Sequence, residues 1–150
     1  MSRRRVALWA SSLVLAVATV AAALSSDLDR ALREATYVYV QSERKSGELG
    51  KPAEIWFFWD GSAVYVGTRP TSWRVKRIKA GRRKAHVAVG KADGPGFDAT
   101  GEVVHDAAIE EKLMAEFAWK YPEGWKQHAD GFRSGFKSGD RVLVRYKPSA

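Results

Sequence analysis

Six short runs rich in β-branched and aromatic residues follow one another between Thr36 and Lys147, several joined by links too short for a crossover helix. This spacing constrains the fold more than any other feature. Antiparallel strands can be joined by a two-residue turn, whereas parallel strands need a connection of about a dozen residues or more. The runs are Thr36–Glu43, Pro52–Trp59, Ala63–Thr68, Lys84–Lys91, Phe97–His105 and Arg141–Lys147. The most apolar is Pro52–Trp59. Its residues Ile55, Trp56, Phe57, Phe58 and Trp59 point to both faces, so that strand needs a core on one side and a partner or ligand on the other. Asp60-Gly61 then reads as a hairpin turn. In the closing run, Val142, Val144 and Tyr146 alternate with Leu143 and Arg145, the period of a half-buried strand.

Three segments read as helices: Ser26–Ala35, Ser72–Ala80 and Ala107–Lys120. The first can be capped by Ser26 or Asp27. The third follows Asp106, a good N-cap, and shows one apolar face of Ile109, Leu113, Met114 and Phe117. Pro122–Gly139, rich in glycine and aromatics, reads as irregular. The expected fold is mainly β with small helices, an α+β domain built on six antiparallel strands as a small closed or partly closed barrel.

The start of the chain sets its address. Arg3, Arg4 and Arg5 precede an uncharged stretch, Val6–Leu24, which ends in small residues before Ser25-Ser26-Asp27. A basic segment, an apolar segment and a small-residue end form the pattern of a secretory signal. The same stretch is just long enough to serve as an uncleaved membrane anchor. Residues 1–25 are therefore read as signal peptide or N-terminal anchor, and residues 26–150 as one domain. The arginines place that domain on the far side of the membrane, periplasmic or extracytoplasmic. Ser2–Leu8 matches the twin-arginine export pattern only in part.

The chain has no cysteine, which excludes disulfides, thiol catalysis and thiolate metal sites. Its net charge is +8; with the three leader arginines set aside, 22 basic residues face 17 acidic ones. An excess of this size on an exported domain points away from nucleic acid and toward an anionic ligand or membrane surface. The membrane enters as a partner only through the leader.

Chemistry concentrates where the Ala63–Thr68 strand ends. Thr68-Arg69-Pro70-Thr71-Ser72 leads into Trp73-Arg74-Val75-Lys76-Arg77-Ile78. Hydroxyl residues and cations meet there at a helix start, where free N–H groups attract an anion and lone positive charge is unfavourable. Charge alone also fits a solvated basic helix held by Val75 and Ile78.

The order of apolar strand, Asp-Gly turn, strand ending in threonine and Ser-x-Arg-x-Lys-Arg-Ile resembles the flavin-binding split-barrel family. These are the pyridoxamine 5'-phosphate oxidase-like proteins, including the deazaflavin-dependent reductases. The resemblance spans residues 35–120. It implies a six-stranded split barrel that pairs into a homodimer, with FMN or a deazaflavin coenzyme in a groove and a small molecule as substrate. It implies that Thr68, Ser72, Arg74, Lys76 and Arg77 hold the cofactor phosphate. The strand residues Glu54, Ile55, Trp56 and Phe57 would line its ring. Where relatives carry Asn-Pro after the helix, this chain has Gly81-Arg82-Arg83-Lys84.

Two other readings stay open: a non-catalytic exported module binding flavin or haem, and a structural envelope protein with an empty groove. His86, His105 and His128 lack metal-ligand spacing, so no metal is expected. Ser46 and Ser134 have no recognisable base partner, and Glu110-Glu111 lies on a solvated helix face. No protein acid or base stands out.

Overall fold

The computed structural model describes residues 24–149. Of the leader read over residues 1–25, residues 1–23 lie outside the described residues. The described residues form four helices and seven strands: α1 (Ser26–Glu34), β1 (Val38–Ser42), β2 (Ala53–Ile55), β3 (Phe58–Trp59), β4 (Val64–Thr68), α2 (Trp73–Lys79), β5 (Lys84–Val89), β6 (Gly96–Val104), α3 (Ala107–Lys120), α4 (Pro122–Ser138) and β7 (Val142–Pro148). No helix among them is long and apolar enough to cross a membrane.

The strands make one antiparallel sheet in the order β2-β1-β5-β6-β7-β4-β3. Its two end strands, β2 and β3, are consecutive in the sequence and separated only by Trp56 and Phe57. The ends of the sheet are thus tied together, and the sheet must curl until its edges nearly meet. The result is a half-barrel with a seam.

This corrects the expected strand count of six. Pro52–Trp59 is not one strand but two short ones on opposite sides of the seam. A straight strand could pair along only one edge. The bend lets Ala53–Ile55 pair with β1 and Phe58–Trp59 pair with β4.

Tyr121 holds the bend. The buried Phe57 N–H donates to the Tyr121 hydroxyl at 3.2 Å, and that hydroxyl donates to the Thr36 carbonyl at 2.6 Å. Trp56 stacks on the Tyr121 ring with centroids 4.3 Å apart. In the turn that follows, Asp60 accepts from the Ser62 and Ala63 N–H groups at 2.8 Å each, and Gly61 takes φ +94°, where a side chain would strain.

Alternation along β4 and β7 divides the apolar residues between two clusters. Val64, Val66, Val142, Val144 and Tyr146 face the barrel interior, with Val38, Val40, Val87, Phe57, Leu32 of α1, and Val75 and Ile78 of α2. Tyr65 and Leu143 face outward and are covered by Leu113 and Phe117 of α3 and by Trp125, Ala129 and Phe132 of α4. Fully burying a side chain such as Leu113 or Phe117 contributes about 1.5–3 kcal/mol. Both faces of the Ile55–Trp59 stretch are covered by these two cores, so its apolarity needs no ligand to explain it.

The second correction is α4. Pro122–Gly139 was expected to be irregular, yet Pro122–Ser138 is helical, with Pro122 at its first turn. Its buried residues Trp125, Ala129 and Phe132 fall on one face at helical spacing. Burial of that face against α3 and the sheet outweighs the cost of Gly124, Gly131 and Gly135 in its interior.

Candidate functional site

Two hollows lie along the seam. The first, of about 410 Å³, is bordered by Val40, Ser42, Arg44, Gly50, Lys51, Ala53, Thr68, Ser72, Trp73, Arg74 and Arg77. The second, of about 430 Å³, is bordered by Glu54, Ile55, Trp56, Gly67, Arg69, His128, Phe132 and Arg141. Each takes residues from β2 on one side and from β4 on the other. The split in the barrel is therefore the groove.

The first hollow has four cations on its border and no carboxylate. Thr68 ends β4, and Ser72 occupies the N-cap position of α2 without making a side-chain cap bond. Two polar atoms on this border, Ser72 Oγ and Arg74 Nη1, are buried and have no hydrogen-bond partner, and neither has Tyr146 Oη in the barrel core. Burying such groups unpaired costs about 1–3 kcal/mol each, and more for a charged one. Tyr146 is fully enclosed. Burial pushes its phenol pKa up, and the nearby Arg74 charge and Ser42 oppose that shift without completing a hydrogen bond to the hydroxyl. No carboxylate among the described residues lies within ion-pair distance of Arg74. Arg77 is partly anchored, donating from Nη1 to the Ser42 carbonyl at 3.4 Å and lying 5.7 Å from the Trp73 ring.

The nine residues singled out from the sequence do not all reach one place. Thr68, Ser72, Arg74 and Arg77 border the first hollow. Glu54, Ile55 and Trp56 border the second. Lys76 is exposed and outside both, its Nζ 5.2 Å from the Trp73 ring. Phe57 is 0 % exposed and belongs to the barrel core, so its side chain lines no groove.

The electrostatic reasoning from the sequence also needs correction. Helix α2 has only seven residues, and Lys76, Arg77 and Lys79 sit in its last turn. Positive charge is favourable there. Only Arg74 lies near the helix start. The anion-binding character of the hollow rests on unpartnered side chains, not on a helix end crowded with cations.

The second hollow is more open and has aromatic rings on its border. Trp56 stands between Tyr121 and Phe132, parallel to both, and its ring meets that of His128 edge-on at 5.9 Å. Glu54 is engaged on β1, accepting from the Tyr39 hydroxyl at 2.5 Å. Sequence reasoning missed Arg69, Arg141, His128 and Phe132. Arg69 stands next to Thr68 in the sequence, whereas the others come from α4 and β7 and reach the seam only through folding. Among the described residues, no group of His, Asp and Glu side chains is placed to hold a metal ion.

No family model matches the sequence, and no curated protein matches it. Solved structures do. A protein assigned as a pyridoxamine 5'-phosphate oxidase, from Listeria innocua, superposes with TM-score 0.60 at 16% identity over 83% of this chain and 92% of its own. HutZ, the haem storage protein from Vibrio cholerae, gives 0.59 at 12% identity over 83% and 89%. An F420 reductase gives 0.52 at 20% identity over 81% and 93%. At these identities the likeness is one of fold. The chain is thus similar to pyridoxamine 5'-phosphate oxidase-like and F420 reductase proteins in having the split-barrel fold, here with seven strands.

Proposed function

We propose that this chain is an exported split-barrel oxidoreductase that works as a homodimer on a small-molecule substrate. It would hold FMN or a deazaflavin coenzyme by the phosphate in the first hollow and by the ring against Trp56 in the second. The observation that carries this reading is the pair of buried, unpartnered atoms Ser72 Oγ and Arg74 Nη1 on the border of a hollow with four cations and no acid. A phosphate would satisfy such donors; an empty hollow leaves them uncompensated.

The roles follow from residue chemistry. Thr68 and Ser72 donate from their hydroxyls. Arg74 and Arg77 neutralise charge, and the planar guanidinium of Arg74 can grip two oxygens at once. Trp56 offers an apolar edge, held in place between Tyr121 and Phe132. Both hollows are open to solvent, and a second copy laid across the seam would cover them. The cofactor, when bound, supplies hydride or electron transfer.

Titration of the full chain with FMN and with riboflavin, followed by flavin fluorescence, tests the phosphate site. Arg74→Gln should weaken FMN by about tenfold to a hundredfold, the worth of a charge-assisted hydrogen bond, and leave riboflavin and the circular dichroism spectrum unchanged. Equal loss for both flavins would place the phosphate elsewhere.

A second reading, a non-catalytic haem-binding module, has one observation in its favour: His128 stands beside Trp56 on the second hollow, where it could serve as an axial ligand. A Soret shift with haemin that is lost in His128→Ala, together with no FMN binding, would favour that module.

A further inference from the structure

Strands β4 and β7 pair antiparallel with Thr68 opposite Val142. Carried one residue further, that register sets Arg69 beside Arg141. Like charges placed opposite one another across an antiparallel pair repel. No carboxylate among the described residues lies within ion-pair distance of either arginine.

Arg141 is partly buried, and packing restrains its stem. Its N–H donates to the Gly135 carbonyl at the end of α4 at 3.1 Å. Any side chain at position 135 would bring its Cβ to 2.9 Å from the Arg141 Cβ, so glycine lets the strand pass this close to the helix. The guanidinium lies 3.8 Å from the centre of the Phe132 ring. Its Nε is buried without a partner. Burial, reinforced by the charge of Arg69, holds the Arg141 pKa below the ordinary guanidinium range. Packing thus positions the Arg141 guanidinium and leaves its buried Nε without a partner.

Both arginines border two hollows of about 430 Å³ each, one shared with Trp56 and the other with Thr71 and Ser134. Two acids stand nearby. Glu54 is engaged by Tyr39, and Asp140 forms no ion pair with either arginine. Each hollow taken alone sets two guanidinium groups against one carboxylate, and neither carboxylate pairs with them.

We propose that Arg69 and Arg141 form a second anion site, separate from the Ser72–Arg74 hollow, which takes the carboxylate or phosphate of a small substrate whose remainder extends along the seam toward the cofactor ring. Describing the ligand as a substrate rests on the function proposed above; the anion site itself rests on the arginines. Two guanidinium groups side by side match the two or three oxygens of such a group.

Calorimetric titration of the full chain with benzoate and, separately, with inorganic phosphate tests the site. At least one probe should bind saturably, and the stronger of the two identifies the head group. Arg69→Gln and Arg141→Gln should each weaken that probe about tenfold or more, while the exposed Arg83→Gln leaves it unchanged. Arg69→Gln alters an exposed side chain, so its result stands even if Arg141→Gln proves unstable. Anion binding that persists in a protein unable to bind FMN supports the arginine site while removing the cofactor reading. Three results overturn the proposal: no saturable binding of either probe, unchanged affinity in Arg69→Gln, or a loss of FMN without loss of riboflavin in Arg69→Gln.

Discussion

Replacing Tyr121 with phenylalanine removes one oxygen and reaches the structural feature on which the groove depends. In the folded chain that oxygen accepts the Phe57 N–H at 3.2 Å and donates to the Thr36 carbonyl at 2.6 Å. Phe57 is 0 % exposed, so its N–H has no access to water once the hydroxyl is gone. An orphaned buried donor costs about 1–3 kcal/mol. Thr36 is exposed, and its carbonyl can turn to water, so that loss adds at most about 0.5 kcal/mol. The ring keeps its stacking on Trp56, and the apolar contribution is unchanged. The net expectation is a loss of about 2 kcal/mol, a large fraction of the stability of a domain this size. Urea unfolding followed by far-ultraviolet circular dichroism would show the midpoint falling with the slope unchanged. A loss below about 0.5 kcal/mol would refute the claim that Tyr121 holds the bend between β2 and β3.

Two further predictions concern pH. The Lys120 ammonium sits 3.5 Å from the centre of the Phe57 ring, and burial lowers its pKa to about 8. Between that value and the unfolded pKa near 10.4 the unfolded chain binds more protons, so stability should rise with pH across that window. Water reaches this side chain and the ring face favours the cation, so the gain is put at about 1 kcal/mol, and Lys120→Met should abolish the rise in urea midpoints between pH 7.5 and 10.5. Asp60 gives the same sign in a lower pH window, because there the fold favours the charged form. Burial pushes its carboxyl up, but the donors from Ser62 and Ala63 outweigh that and hold its pKa below the usual range. Asp60→Ala should cost about 1 kcal/mol at pH 7, a gap that closes as pH falls from the unfolded value near 3.9 through the lower folded one.

Much of the fold was legible wherever local pattern and tertiary demand agree. Val64–Thr68 and Ala107–Lys120 were readable because alternation in one and a 3.6-residue face behind an Asp cap in the other match what the core requires. Ile55–Trp59 was not. No local signal breaks that run; the bend at Trp56 and Phe57 arises because the two sheet edges must share it and Tyr121, far along the chain, satisfies the freed backbone. In α4 the glycines obscured a helix whose spacing of Trp125, Ala129 and Phe132 was present all along. Gly135 is there to admit Arg141, a reason invisible from composition.

The candidate site divides along the same line. Thr68, Ser72, Arg74 and Arg77 sit close together in sequence and meet at one hollow. Lys76 belongs to the same motif but faces away, because at 3.6 residues per turn Arg74 and Arg77 share a side and the residue two after Arg74 points to the other. Arg141 stands far from Arg69 in sequence, and the β4–β7 register alone brings them together.

The most direct measurement is a crystal structure of the protein with FMN bound. The account predicts phosphate oxygens within about 3 Å of Ser72 Oγ and Arg74 Nη1, with the ring along Trp56. A phosphate seated between Arg69 and Arg141, or outside the seam with Ser72 and Arg74 still unpartnered, would contradict it.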